Sequence, residues 1–126
     1  MKRELAGYGV LVVEDEFFLA SEIEETLAQA GARVIGPVAD LAGAFDMVRD
    51  VDFDLAVLDI NLGGEMVYPL ADALTALNVP FLFSTSYSGP EIPIEYRHLP
   101  RVEKPYSARA LIGGVASLIG ASAAAG

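Results

Sequence analysis

Leu55-Ala56-Val57-Leu58-Asp59-Ile60-Asn61 lies near the middle of the chain: four apolar residues in a row, closed by a carboxylate. A run with no polar side chain on either face predicts a strand covered on both sides, the situation inside a parallel sheet between helices. Pro80-Phe81-Leu82-Phe83 repeats the pattern downstream. Outward from these two, Gly9–Val13, Arg33–Ile35 and the brief Arg101–Val102 read as three further strands. The intervals carry helical periodicity. Ala20, Ile23, Leu27 and Ala30 share one face, and Gly31 stands where a helix would stop. Asp40 is placed to cap a second helix with Leu41, Ala44, Phe45 and Val48 on its apolar face. A third is predicted from Glu65 to Leu77, closed by Asn78 and Pro80. The last starts behind Ser107 and carries Leu111, Val115 and Leu118. Strict alternation of strand and helix implies right-handed crossovers and an α/β fold with a doubly wound, five-stranded parallel sheet.

The expected fourth helix is missing its pattern. Gly89, Pro90, Pro93 and Pro100 break residues 86–100, which predicts a short helix or an ordered loop there. The tail, 120–126, is small and featureless and is expected to fray.

Composition narrows the function classes. The chain has 126 residues, enough for one domain and too few for two, so 1–126 is read as a single domain with its core at about 7–120. Its 18 acidic and 8 basic residues leave a net charge of −10, which disfavours nucleic acid and anionic membrane as partners. There is no cysteine, so disulfides, thiolate metal sites and a cysteine nucleophile are excluded. No apolar stretch approaches the length of a membrane span and no signal-peptide pattern is present, which makes the cytoplasm the expected location.

In an open parallel sheet, ligands gather beyond the carboxyl ends of the strands. Glu14 and Asp15 follow the first strand, Asp59 and Asn61 the third, Ser84 and Thr85 the fourth, Lys104 and Pro105 the fifth. Singly, each has an ordinary explanation: a helix N-terminal charge pair, a turn Asp, a loop Thr, a surface Lys. Together they collect three carboxylates, a hydroxyl and an ammonium on one rim. Carboxylates so placed repel unless a hard divalent cation sits among them, and Mg2+ takes this kind of oxygen set. Glu14, Asp15, Asp59 and the backbone carbonyl of Asn61 are the candidate metal ligands. Asp59 is the candidate nucleophile toward phosphorus, with Thr85 and Lys104 neutralising the transferred oxygens.

Val10 to Glu16, Asp59-Ile60-Asn61 and Glu103-Lys104-Pro105 resemble the receiver domains of bacterial response regulators, over about residues 7–120. The resemblance implies a CheY-like, flavodoxin-type sheet of order 2-1-3-4-5. It implies a phosphoryl donor that is a histidine kinase or a histidine phosphotransfer protein, and Asp59 as the phosphorylated residue. Thr85 becomes the switch hydroxyl, and the Lys104–Pro105 bond is expected to be cis. On this reading the protein stands alone and signals by altered protein contact, or serves as a phosphate shuttle or sink. It is not an enzyme in the turnover sense.

Two departures from the common receiver pattern stand out. The aromatic residue usual three positions before the lysine is Arg101 here, expected to be solvated. Phe83-Ser84-Thr85-Ser86-Tyr87 instead resembles the Phe-Ala-Thr-Gly-Tyr motif of a receiver subset with a reduced fourth helix, which makes Tyr87 the candidate switch aromatic. His98, the only histidine, is read as solvated. The last helix is nearly apolar all round, with Arg109 its only charge, and Ile92, Ile94 and Tyr96 lie in the preceding loop. That fourth/fifth helical face is a candidate surface for a partner or a second copy.

Competing classes fit less well. A degenerate receiver acting as a phosphorylation-independent binding module would lack an acidic, hydroxyl or lysine position, and all are present. A haloacid-dehalogenase-type hydrolase needs Asp-x-Asp where Glu14-Asp15-Glu16 stands. A flavodoxin-like redox protein needs a phosphate loop after the first strand.

Overall fold

The computed structural model describes residues 3–125. Its elements are β1 (Gly9–Val13), α1 (Phe17–Gln29), β2 (Arg33–Val38), α2 (Leu41–Asp50), β3 (Leu55–Asp59), the two-residue strands β4 (Asn61–Leu62) and β5 (Glu65–Met66), α3 (Tyr68–Ala76), β6 (Phe81–Thr85), β7 (Arg101–Glu103) and α4 (Ala108–Ala125). The main sheet is parallel throughout, ordered β2-β1-β3-β6-β7. Counting only its own strands, that is the expected 2-1-3-4-5.

The apolar runs fall where both faces are covered. Every residue of β1, β3 and β6 is buried. Alternate side chains feed two cores: Leu11, Val13, Leu58 and Phe83 meet α2 and α3, while Val10, Val12, Val57 and Leu82 meet α1 and α4. Burial of such side chains contributes about 1.5–3 kcal/mol each, so the centre of the sheet is rigid and its rim is held in place.

Local chemistry sets the boundaries. Asp40 caps α2 through a 2.7 Å bond from the Gly43 amide, and Ser107 caps α4 through the Ala110 amide at 3.0 Å, as their positions predicted. Gly31, at φ 100°, ends the first helical turn-out. Glu16 caps α1: its carboxylate accepts from the amides of Phe18 and Leu19. The helix therefore takes its N-terminal charge from Glu16 and leaves Glu14 and Asp15 free for the rim.

The third helix is shorter than its periodicity suggested. It starts at Tyr68, not Glu65, because the chain first folds back as the antiparallel β4–β5 hairpin. Gly63 and Gly64, at φ 64° and 99°, make its turn, where an L side chain would be strained. Pro69 then suits the first turn of α3. Residues 86–100 contain two single 3-10 turns, Gly89–Glu91 and Ile94–Tyr96, in place of a helix. The expected fraying tail is corrected up to Ala125, which α4 reaches; Gly126 lies outside the described residues. On α4, Leu111, Val115 and Leu118 face the sheet. No helix among the described residues is long and apolar enough to cross a membrane.

Candidate functional site

The fold brings all the rim residues named from sequence to one end of the sheet. Glu14 leaves β1, Asp59 ends β3, Thr85 ends β6 and Lys104 follows β7. Adjacent parallel strands β1, β3, β6 and β7 hold them in register, with Asp59 opposite Ser84 and Thr85 opposite Glu103. The Lys104 amide donates to the Thr85 carbonyl at 2.7 Å, which fixes where the lysine departs from the sheet. The Lys104–Pro105 peptide is cis, as expected.

Three carboxylates meet there. Glu14, Asp15 and Asp59 each present an oxygen within 4.8 Å of the others. Glu14 is only 2% exposed and Asp59 7%. The Lys104 ammonium bridges the two buried acids, 3.1 Å from Glu14 Oε1 and 3.3 Å from Asp59 Oδ2. Glu14 Oε1 lies near that ammonium but outside hydrogen-bonding geometry, and it has no hydrogen-bond partner. Its other oxygen accepts from the Glu16 amide at 3.1 Å. Asp59 Oδ1 accepts from the Asn61 amide at 3.3 Å.

The electrostatics follow from this crowding. Burial, reinforced by the adjacent Asp59 carboxyl, pushes the Glu14 carboxyl up from an ordinary 4.5 to about 7, although Lys104 and the Glu16 amide oppose the change. For Lys104, burial lowers the pKa, and the charges of Asp59 and Glu14 more than reverse it, so the ammonium ends above its ordinary value. One lysine cannot balance three carboxylates. An orphaned acceptor among clustered acids is the condition a hard cation relieves, and the donor set is all oxygen, so the residues present fit Mg2+.

Beside the acids is a pocket of about 310 Å³ whose lining includes Asp15, Asp59, Asn61, Thr85, Tyr87 and Lys104. Thr85 is 1% exposed, and its Oγ1 accepts from the Tyr87 amide at 2.8 Å. Its hydroxyl proton is therefore available to an oxygen arriving in the pocket. Tyr87 turns toward the site, where its hydroxyl accepts from Asn61 Nδ2 at 3.1 Å. Tyr68 stacks on Tyr96 at 4.5 Å, both pack on the same core as Tyr87, and the Tyr96 hydroxyl donates to Asp72. Arg101 differs from expectation. Its side chain is half-buried, paired with Glu103 at 3.5 Å and bonded to the Arg97 carbonyl, because the short strand and the 3-10 turns fold over it. His98 is exposed, as expected.

Sequence reasoning missed three contacts that shape the site. Asn61 uses its side chain as well as its backbone: Oδ1 accepts from Gly64 at 2.6 Å and closes the hairpin turn. Glu65 reaches from that hairpin to the Leu41 amide at the start of α2. Ser84, buried in β6, bonds the Tyr106 hydroxyl at 2.8 Å. Only the first carried a signal, since Asn two residues before Gly-Gly is a turn pattern.

No family model matches the chain. The solution structure of SdrG from Sphingomonas melonis Fr1 is similar at 35% identity with a TM-score of 0.79, over 92% of this chain and 98% of that one. The non-phosphorylated HemR receiver domain from Leptospira biflexa is similar at 25% identity and TM-score 0.75, over 89% and 94%. The sensory transduction protein LytT of Bacillus subtilis is 31% identical over 81 residues, 62% of this chain and 34% of that protein. The chain spans half or less of the length of the curated relatives it matches. With this sheet order and these full-length likenesses, the chain belongs to the response regulator receiver domains.

Proposed function

We propose that Asp59 accepts a phosphoryl group from a phosphohistidine on a histidine kinase or phosphotransfer protein, and that the chain signals while it holds that group. Receiver domains are signalling proteins and bind Mg2+ at an acidic pocket; the finer reading rests on this chain's residues. The observation that carries it is the Lys104 ammonium set between the buried Asp59 and Glu14 carboxylates, with Thr85 and a pocket alongside.

A carboxylate oxygen of Asp59 forms a bond to phosphorus, the P–N bond to the donor imidazole breaks, and the imidazole leaves with the bonding pair. Lys104 is close enough to Asp59 to move onto a transferred phosphoryl oxygen, and Thr85 donates its hydroxyl proton to another. Glu14, Asp15, Asp59 and the Asn61 carbonyl would hold Mg2+, which when bound neutralises the carboxylates and the phosphoryl charge. Once Thr85 turns to the phosphoryl group, its bond from the Tyr87 amide is strained or lost. Tyr87 then carries the change outward, as in the Phe-Ala-Thr-Gly-Tyr subset.

The donor needs a seat beside Asp59. Phe17 and Phe18, 73% and 78% exposed, open α1 next to the rim. A groove of about 480 Å³ runs from Phe18 and Leu19 to Lys104, Pro105 and Tyr106. Exposed aromatics of that size mark a docking surface, and a donor seated there would lie beside Lys104 and the acceptor. The face of Ile94 and α4 stays available to a partner or second copy. Sedimentation giving a monomer at all concentrations and phosphorylation states would eliminate the second copy.

The test is intact mass after incubation with a small phosphodonor and Mg2+. Wild type should gain a single phosphoryl adduct; Asp59→Ala should not, and chelator should block it. No adduct from a small donor or from any histidine kinase would replace this reading with the binding-module one.

A further inference from the structure

The segment that delivers Lys104 is thinly held. The Lys104 amide is bonded to Thr85, but Pro105 has no amide proton, and the next anchor is the Ser107 cap of α4. Between these, the contact back to the sheet is made by a side chain. Tyr106 packs on the α1/α4 core and its hydroxyl meets Ser84 Oγ at 2.8 Å. Ser84 is 1% exposed and belongs to the face of β6 opposite Thr85. Burial pushes the Tyr106 phenol up, so it stays protonated and able to donate.

From this arrangement we infer that Tyr106, bonded to Ser84, is a positioning residue for phosphoryl transfer: it clamps the Lys104–Pro105 turn so that the ammonium is aimed at Asp59. The inference rests on the reading of Asp59 as acceptor. Tyr106 touches neither Asp59 nor the pocket beside it; it acts through Lys104. The physical reason is lever length. A lysine side chain has four rotatable carbons and a compact charge, so the place where its backbone is pinned decides how often the ammonium reaches Asp59. Lys104 Nζ sits at 3.3 Å from Asp59 Oδ2, and a displacement of about 1 Å in a transfer of this kind can cost up to about a hundredfold. Loosening one of these anchors should cost less, about tenfold. The bond also gives a partner to the buried Ser84 hydroxyl, one of two polar side chains in a strand whose other three residues are apolar.

The experiment measures the rate of phosphoryl adduct formation at saturating Mg2+ and small phosphodonor, by intact mass, for full-length protein. Wild type labelled at Asp59 comes first; if neither the small donor nor a histidine kinase labels it, the acceptor reading falls and this inference with it. Given labelling, Tyr106→Phe should be about tenfold slower with an unchanged Mg2+ affinity. Because that variant orphans a buried serine hydroxyl, the Ser84→Ala/Tyr106→Phe pair is measured too. It removes both partners, restores stability, and should stay as slow as Tyr106→Phe. In a Lys104→Ala background the Tyr106→Phe change should have no further effect, since its route is through the lysine. A wild-type rate in either Tyr106 variant, or a full tenfold loss persisting without Lys104, overturns the proposal.

Discussion

The two ends of this sheet treat carboxylates in opposite ways. At the amino end, Asp54 accepts from the Gly9 amide at 2.8 Å while its own amide donates to the Gly9 carbonyl at 2.8 Å. That acid is exposed, has a backbone partner in Gly9, and stitches the start of β3 to β1. At the carboxyl end, five residues further along each strand, Glu14 and Asp59 are buried side by side with one lysine between them and an acceptor left without a partner. The first arrangement stabilises the fold; the second costs stability unless something else binds. Chemistry sits where the polar accounting fails, because a group already satisfied has no reason to take a ligand or a phosphoryl.

The largest break between the two ends should come from pH. A carboxyl raised to about 7 in the folded state and 4.5 when unfolded means the folded chain holds the proton more tightly. Its stabilising contribution is complete below pH 4.5 and is lost as pH rises through 7. In chelator, wild type should therefore lose about 3 kcal/mol from this group between pH 4 and pH 8, at 1.36 kcal/mol per pKa unit. Glu14→Gln should remove that part of the slope. Denaturant unfolding at both pH values measures it, and equal slopes for the two proteins would show that burial at Glu14 is not costly.

Mg2+ should reverse the same deficit. At pH 8 and about a hundredfold above its dissociation constant, the ion should stabilise wild type by about 2.7 kcal/mol. Asp15→Ala should lose most of this, since that exposed acid belongs to the cluster without taking part in the Lys104 pair. Thermal melts with and without chelator give the answer. A variant stabilised as strongly as wild type would take Asp15 out of the ligand set.

The amino end predicts the converse. Asp54→Ala leaves the Gly9 amide short of a partner and should cost about 1–2 kcal/mol at any Mg2+ concentration. It should leave the adduct rate at Asp59 unchanged. A variant as stable as wild type, or one slowed in labelling, would blur the division between the two ends.

This division also explains what could be read from sequence. The covered strands were legible because Leu55–Leu58 and Pro80–Phe83 have no polar face, and the rim because four of the five strands stop at a charged or hydroxyl residue. Those are local facts about single segments. The start of α3 was not legible: Glu65, Met66 and Val67 have acceptable helix propensity, and only the pairing of Asn61 with Met66 and Leu62 with Glu65 pulls them into a hairpin. Ser84 and Tyr106, twenty-two residues apart, meet through the β6–β7 register, and each alone is an unremarkable residue. Arg101 likewise looked solvated until the 3-10 turns were placed beside it. Tertiary contacts between residues with no individual signature stay invisible until the sheet order is known.

The smallest effect on stability falls at the edge of the active end, and it is the most informative about switching. Tyr87 joins the two sides of the pocket: its amide to Thr85, its hydroxyl to the Asn61 side chain. Asn61 is only half-buried, so water can replace a lost phenol, and Tyr87→Phe should change unfolding free energy by less than about 1 kcal/mol. Labelling of Asp59 should survive as well, since the phenol touches neither Asp59 nor Lys104. What should change is transmission. The tie to Asn61 holds the ring over the pocket before phosphorylation, so without it the ring is no longer confined to one position. Amide exchange across residues 86–99 should then be raised in the unphosphorylated variant and move little further on phosphorylation. In wild type the same amides should respond clearly. An unphosphorylated variant indistinguishable from wild type in that segment would leave Tyr87 a packing residue, and the carboxyl end of the sheet would hold an acceptor whose signal leaves by another route.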